Sequence, residues 1–575
     1  MNGSEQGSVR QVSGWDPRSV DAALQAVVGV TGHRNPRPSE LPRLRREFEA
    51  VLEQVRRLAP DTAITLLSPL AAGCDQHAAE WALAWGESVP LRSRPRVRLA
   101  VPRPLPREDY LQDFTRPEER HRYLELESRA WLAFDLPLGR PDAERPLDRD
   151  SATGRIVDRD GRQDRAEHYR RLGRFVAHQS HLMVAFWDGV PPARVGGTAE
   201  IVQFCRTGGS LRERQGGAFR SAPYRERCPL LSAGDPTPVW IIATPREGGT
   251  EESVQPSTPL APDELGVLRE LDRLGRAMHG RAAGDTQGRA STFRSSVLSE
   301  EPRFAEACAL FECLDHVAGE AKDTFVAITK IYICAIVLAV MGFQCFSSYT
   351  TQKHGEVGLL VYVALLAAAW LLRRRILADR VEWIFVHARS MAEILRIQLA
   401  MALAGVREEV TGWGLAHRDL DMRPLRRMMR GSLLGLLAVE RDLESCGTGP
   451  GRPNVDEESI KSVRERWLLG QRAYCDQAIL PTSKRALADR RIRRWQPRMH
   501  VIVFLLAVSM LVGVAAGWDI VSQEEIPFVD LGCMVVGVSL AIAAGLGMWK
   551  EASMDDEDLD QFRRMRVVFH LALER

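Results

Sequence analysis

The sequence lacks an apolar stretch at its start, lacks paired cysteines and carries no marked surplus of either charge. Its first twenty residues are polar, without the apolar core of a cleavable secretion signal, so insertion into a membrane falls to internal segments. The ten cysteines are scattered from Cys74 to Cys533 and none forms a Cys-x-x-Cys pair. That spacing gives neither a disulfide framework nor a zinc site, and they read as reduced thiols. A formal net charge of +2 argues against a dedicated nucleic-acid binder, so no direct nucleic-acid partner is expected. His178 and His181 have a metal-like spacing, but no further ligand run lies beside them; no metal or cofactor is expected.

What the sequence has is apolar length in its second half. Phe325 to Leu372 forms two apolar runs joined by the polar tip Ser347 to Glu356, and Val501 to Trp518 with Val529 to Met548 repeats the arrangement. Each run approaches the roughly 20 residues needed to cross a bilayer, and a short connection makes each pair a hairpin. Arg373 to Arg375, Arg491, Arg493, Arg494, Arg498 and Lys550 flank the runs, whereas Asp519 to Pro527 has no Lys or Arg. The positive-inside rule then predicts four crossings with both termini cytoplasmic. Gly513 with Gly517, and Gly537 with Ala541 and Gly545, present small faces suited to tight helix packing within or between subunits. One four-helix unit has no obvious pore, so conduction would require a homo-oligomer.

The first half reads as alternating strands and helices. Ala26 to Val30 leads through Thr31-Gly32-His33-Arg34 into a helix at Leu41 to Leu58. Ile64 to Ser68 leads through Gly73-Cys74-Asp75 into another, and Val97 to Val101, Leu182 to Trp187 and Val239 to Ala243 continue the series. This alternation predicts a parallel sheet covered on both faces, with ligand at the carboxyl ends of the strands. Gly32, Gly73, Gly196 and Gly197 lie at those ends, and Thr198 and Glu200 open the helix after Asp188-Gly189. Glycines let a backbone approach a phosphate, and a helix amino terminus favours an anion.

These segments resemble the SLOG superfamily, the Rossmann-like domains shared by DNA-processing proteins, LOG phosphoribohydrolases and the cytoplasmic part of TRPM channels. The resemblance rests on Gly29 to Arg34, Ser68 to Asp75, Pro102 through Asp109-Tyr110 to Phe114, and Trp187-Asp188-Gly189 with Gly196-Gly197-Thr198. It covers about residues 23 to 250, with a charged insertion near Pro117 to Arg171. It implies a nucleotide-derived ligand of cyclic-nucleotide, ADP-ribose or NAD type, and pocket residues Gly32, His33, Arg34, Gly73, Asp75, Asp188, Gly196, Gly197, Thr198 and Glu200. The hydrolase pattern of that superfamily, Gly-Gly-x-Gly-Thr-x-x-Glu, is incomplete here: the middle glycine is missing and Ile201 stands three residues after Thr198. No catalytic residue is assigned; Glu200 and Asp75 are the candidates for acid or base if the chain is an enzyme.

The second half resembles, on looser motifs, the SLATT membrane effectors of bacterial conflict systems: an apolar hairpin followed by a helix with Ala392-Glu393 and Arg396. The two resemblances together imply an α/β, Rossmann-like parallel sheet domain followed by an all-α membrane region with about four transmembrane helices, in a bacterial inner membrane. The expected divisions are a disordered 1–22, the nucleotide-binding domain 23–250, a linker 251–302 with one helix at Asp263 to Met278, a coupling helix and first hairpin 303–400, a helical region 401–498 and a second hairpin with tail 499–575. The implied function is an antiphage effector that senses a signal made by a partner enzyme and permeabilises the membrane. A membrane-tethered nucleotide hydrolase and a ligand-gated TRPM-like cation channel are the alternatives.

Overall fold

The computed structural model describes residues 24–88, 97–136, 150, 155–157, 164–191, 195–207, 236–248, 256–260, 264–282, 302–348, 355–404 and 423–436 almost continuously, and parts of 460–484, 487–512, 535–545 and 562–570. The expected tail 1–22, much of the linker and most of the second apolar pair lie outside these residues. The chain divides into two compact units, residues 1–315 with 388–460, and residues 316–387 with 461–575.

The first unit is built on six parallel strands: β1 Gln25–Gly32, β2 Ala63–Leu67, β3 Val97–Arg103, β4 Leu132–Asp135, β5 Leu182–Trp187 and β6 Val239–Ala243. Their order is β4-β3-β2-β1-β5-β6. Val27, Val28 and Val30 of β1 and the whole of β5 are buried, as the near-continuous apolar runs of a doubly covered sheet require. Helix α1, Leu41–Leu58, turns Leu44, Phe48, Val51, Leu52 and Val55 inward at helical spacing and packs beside α2, Cys74–Ser88. The short α3, Arg107–Tyr110, and α4, Pro117–Ser128, follow β3. Helices α5, Asp164–Gln179, and α6, Thr198–Thr207, pack on each other; right-handed crossovers put them on the face opposite α1 and α2.

Two parts of the sequence reading need revision. The stretch near Pro117 to Arg171 is not wholly an insertion, because α4, the edge strand β4 and the first half of α5 all come from it. Edge strands tolerate charge and brevity, and Leu132-Ala-Phe-Asp135 buries only Leu132 and Phe134. Likewise the helix expected in the linker, observed as α7 Gly266–Ala282, belongs to the α/β unit. It buries Leu268, Leu271, Leu274 and Met278, packs against α1 and β1, and its buried Asp272 accepts from Asp61 N–H at 2.9 Å and from Thr62 Oγ1 at 3.1 Å.

Helix α8, Pro302–Ser348, is 47 residues long, about 70 Å at the rise of a regular α-helix. Its amino-terminal part belongs to the first unit, where Glu306 meets Arg98 of β3 at 3.0 Å and Arg98 lies over the Trp131 ring. Its stretch Phe304–Gln344, whose most apolar 18-residue window has a mean hydropathy of 2.3, is long and apolar enough to cross a membrane. Among the described residues it alone meets that test; α9, Gly355–Asp379, contains a shorter apolar stretch, Leu360–Leu372. Helix α10, Val381–Leu403, follows, and its Arg389 joins Asp315 of α8 at 2.6 Å. Glu393 pairs with Arg389 and with Arg396 one turn apart, a plain intrahelical arrangement.

In the second unit Gly537 and Gly545 pack within the chain, while Gly513 and Gly517 lie outside the described residues. A Cβ on Gly537 would lie 2.7 Å from Gln344 Cγ, and one on Gly545 would strike Val337. Because 537 faces 344 while 545 faces 337, the two helical segments run antiparallel. Ile331, Leu338, Phe343, Leu360, Val363 and Trp370 are exposed, an apolar surface of the kind that meets lipid or another helix.

Close approach also governs the first unit. A Cβ on Gly173 of α5 would come 2.5 Å from Ile201 Cγ1 of α6. Gly173→Val is expected to cost about 1–3 kcal/mol through overpacking, read as a lower urea midpoint of the full chain in detergent.

Candidate functional site

At the carboxyl edge the winding of the sheet reverses across β1, which lies between β2 and β5. This is where a doubly wound sheet opens a crevice. The backbone of His33 binds both neighbours: its N–H donates to Phe186 O at 3.3 Å and its carbonyl accepts from Cys74 N–H at 3.0 Å. Its side chain adds a third tie, with Nε2 accepting from Asp188 N–H at 3.1 Å. Burial lowers the His33 pKa more than the nearby Asp188 carboxylate raises it, so the ring is neutral with its proton on Nδ1. Asp188 Oδ1 accepts from Val190 N–H at 3.1 Å and Oδ2 accepts from Arg246 Nε at 2.6 Å. Burial works to raise the Asp188 pKa, but these donors and His33 hold it below the usual carboxylate range.

The loops after β1 and β2 interlock. Gly73 has φ +91°, and a Cβ there would lie 2.6 Å from His33 O, so the turn requires glycine. Gly32 faces the Cys74 side chain in the same way. Leu70, in the same turn, takes a φ of +56°, which few residues other than glycine adopt, and its N–H is held by Ser68 Oγ at 3.2 Å.

The turn before α6 differs from the expectation of an open phosphate cradle. Gly196, at φ +76°, donates its N–H to Glu200 Oε2 at 2.7 Å, and Arg170 Nε stands 2.8 Å from Glu200 Oε1. Gly197 closes the first turn by accepting from the Glu200 and Ile201 N–H groups, and Thr198 is the first helical residue. Thus a carboxylate of the chain itself fills the anion position at this helix terminus.

Beside it lies a corner between the start of α2, the turn after β1 and α5. Asp75, in the first turn of α2, is 5% exposed, and among the described residues its Oδ1 has no hydrogen-bond partner. Burial pushes its pKa up to about 8, against the pull of Arg34 and of the Gly32 and Ala71 N–H groups. Arg34 is exposed, with its guanidinium 5.7 Å from the centre of the Tyr169 ring, and among the described residues it makes no ion pair. Tyr169 donates to Asp113, which also accepts from Arg165 at 2.6 Å and Arg155 at 2.9 Å. Asp109 accepts from Arg165 at 2.9 Å and from Ile156 N–H at 3.1 Å. Tyr110 is buried and donates to Pro69 O at 3.0 Å. Gly196 borders this corner, since a Cβ on it would lie 3.1 Å from Tyr169 Cβ.

All ten residues expected at the site therefore lie along one edge, in two groups. Gly32, His33, Gly73 and Asp188 form the locked centre; Arg34, Asp75, Gly196, Gly197, Thr198 and Glu200 border the corner. Arg165, Tyr169 and Arg170 escaped the sequence reading because they lie in the stretch read as insertion; their i, i+4, i+5 spacing on one amphipathic helix was the available signal. Among the described residues no group of His, Cys, Asp and Glu suits a metal. His178 packs on Phe204, and His181 Nδ1 accepts from Val27 N–H at 2.9 Å. No protein-family model matches the chain, and no curated protein matches it.

Asp75 is neutral in the folded chain and ionised when unfolded, so its contribution is fully present below pH 3.8 and is lost as pH rises through about 8. Asp75→Asn is expected to flatten that decline and raise the thermal midpoint at neutral pH, as checked by calorimetry across the range.

Proposed function

We propose that the chain is a membrane effector that senses a nucleotide-derived signal at the carboxyl edge of a SLOG-like sheet and acts on the bilayer through SLATT-like apolar helices. The observation that carries this reading is the convergence of Arg34, Gly196, Arg170 and Glu200 on one corner beside the sheet's reversal point. A ligand phosphate would replace the Glu200 carboxylate on the Gly196 N–H and Arg170, while Arg34 pairs with a second anionic group and its neighbour Tyr169 offers a face for a base or ribose. The implied ligands are cyclic nucleotides, ADP-ribose derivatives or NAD. In this reading four helices cross a bacterial inner membrane with both termini cytoplasmic, subunits assemble into a homo-oligomer, and the ligand, made by a partner enzyme during phage infection, favours a permeabilising form. The ligand must bind that form better than the resting one, because equal affinity shifts nothing.

The enzyme alternative has one feature in its favour: a carboxyl that holds its proton at neutral pH is what a hydrolase uses as a general acid, and Asp75 has that character. Against it, Glu200 is engaged by Gly196 and Arg170.

The test is a thermal-shift titration of the full chain in detergent against cyclic nucleotides, ADP-ribose and NAD, with each mixture checked for breakdown. Stabilisation by an intact compound supports the sensor, and Gly197→Asp is expected to abolish it. Arg34→Ala is expected to weaken binding about tenfold, the worth of one charge-assisted hydrogen bond. Glu200→Gln separates the readings: removal of the competing carboxylate tightens binding about tenfold for the sensor, whereas a hydrolase using Glu200 loses turnover. Liposomes that stay sealed with protein and bound ligand would remove the pore version.

A further inference from the structure

The amino edge of the same sheet carries a second, tightly fitted structure. Helix α11, Arg423–Met429, and the turn after it come from the stretch between the two apolar pairs, and they dock where β1, β5 and β6 begin. Arg430 is buried; its Nη1 donates to Ser180 O at 2.9 Å and to Thr237 Oγ1 at 3.1 Å. Gly431 takes a φ of +74°, donates its N–H to Gln179 Oε1 at 3.2 Å, and leaves no space for a Cβ against Val27. Met428 and Leu434 are fully buried, and α11 packs on α7. Between β1 and β5, His181 exchanges two bonds with Val27: its N–H donates to Val27 O at 2.9 Å, and its Nδ1 accepts from Val27 N–H at 2.9 Å. Burial and the Arg430 cation lower the His181 pKa to about 3, so this tie is a neutral one that stays intact.

Each strand that Arg430 and Gly431 touch has its other end in the candidate site. β1 runs from Val27 to Gly32 and His33, β5 from His181 to Asp188, and the chain through β6 from Thr237 to Arg246. Five or six residues of strand span about 20 Å, and the continuous β1–β5 ladder, from Val28 opposite Leu182 to Gly32 opposite Phe186, joins the two edges.

We propose that residues 423–436 are a latch on the sheet: occupancy of the carboxyl-edge site changes the seating of β1 against β5, and Arg430 and Gly431 read that change at the amino edge. The proposal rests on the ligand-sensing reading of the site for its purpose, but the coupling itself holds or fails without a ligand. Coupling between two sites is reciprocal, so disturbing either edge must be felt at the other.

The test is amide hydrogen exchange of the full chain in nanodiscs, comparing wild type with Arg430→Met, at the amino edge, and His33→Ala, at the carboxyl edge. The latch predicts that Arg430→Met speeds exchange in residues 30–36 and 186–190 about fivefold or more, and that His33→Ala does the same in residues 425–436. Peptides from β3 and β4 serve as the internal reference and should keep their wild-type rates. If Arg430→Met frees residues 425–436 while the carboxyl-edge peptides exchange as before, the proposal fails. It fails equally if all strands, β3 and β4 included, speed up together in both variants, which is general destabilisation. Should Arg430→Met not fold, Arg430→Lys keeps the charge, removes the two-point hydrogen bonding and takes its place with the same criteria. A final arm adds ADP-ribose, cyclic AMP and NAD to wild type: coupling between variants with no protection by any compound counts against those ligands and leaves the latch standing.

Discussion

The carboxyl edge depends on one neutral imidazole. The backbone of His33 ties the end of β1 to β5 and to the turn after β2, and its ring reaches Asp188, which in turn holds Arg246 beyond β6. Four strand-end loops are thereby fixed by one residue and its partners. The ring accepts from a backbone N–H, which it can do only while Nε2 is unprotonated, and burial keeps it so. Such an interior tie is less open to salt and competing water than an exposed ion pair.

Around that knot the charges are closely matched. Asp188 has Arg246, Asp109 and Asp113 share Arg165, and Glu200 has Arg170. The edge is thus neither an acidic nor a basic patch: its carboxylates stand beside guanidiniums, and Arg34 is exposed over the Tyr169 ring. In the proposed sensor, an incoming anion would have to do more for the Gly196 N–H and Arg170 than Glu200 already does.

Much of this architecture was legible in the sequence where burial imposes a pattern. The apolar runs of β1, β5 and β6 and the helical spacing of Leu44, Phe48, Val51, Leu52 and Val55 stand out because both faces of the sheet are covered. β4 was hidden by its length and by its place at the edge, where only two of its four residues face the core. The docking of α11 was hidden by composition, since nothing in the spacing of Arg426, Arg427 and Arg430 marks Arg430 as buried. At the site, the glycines were legible as turns, but whether a turn is open or already filled by Glu200 depends on a contact four residues along, which backbone composition does not express.

The contact of Gly537 and Gly545 with α8 has a consequence in time. A chain grows from its amino terminus, so α8 is finished while Gly537 is still about 190 residues from being made, a wait of roughly 10–40 s at ordinary rates of synthesis. Throughout it Val337 and Gln344 lack the close approach of Gly545 and Gly537. The packing of these two helical segments is therefore a late step, set by the order of synthesis and not by nearness in the sequence.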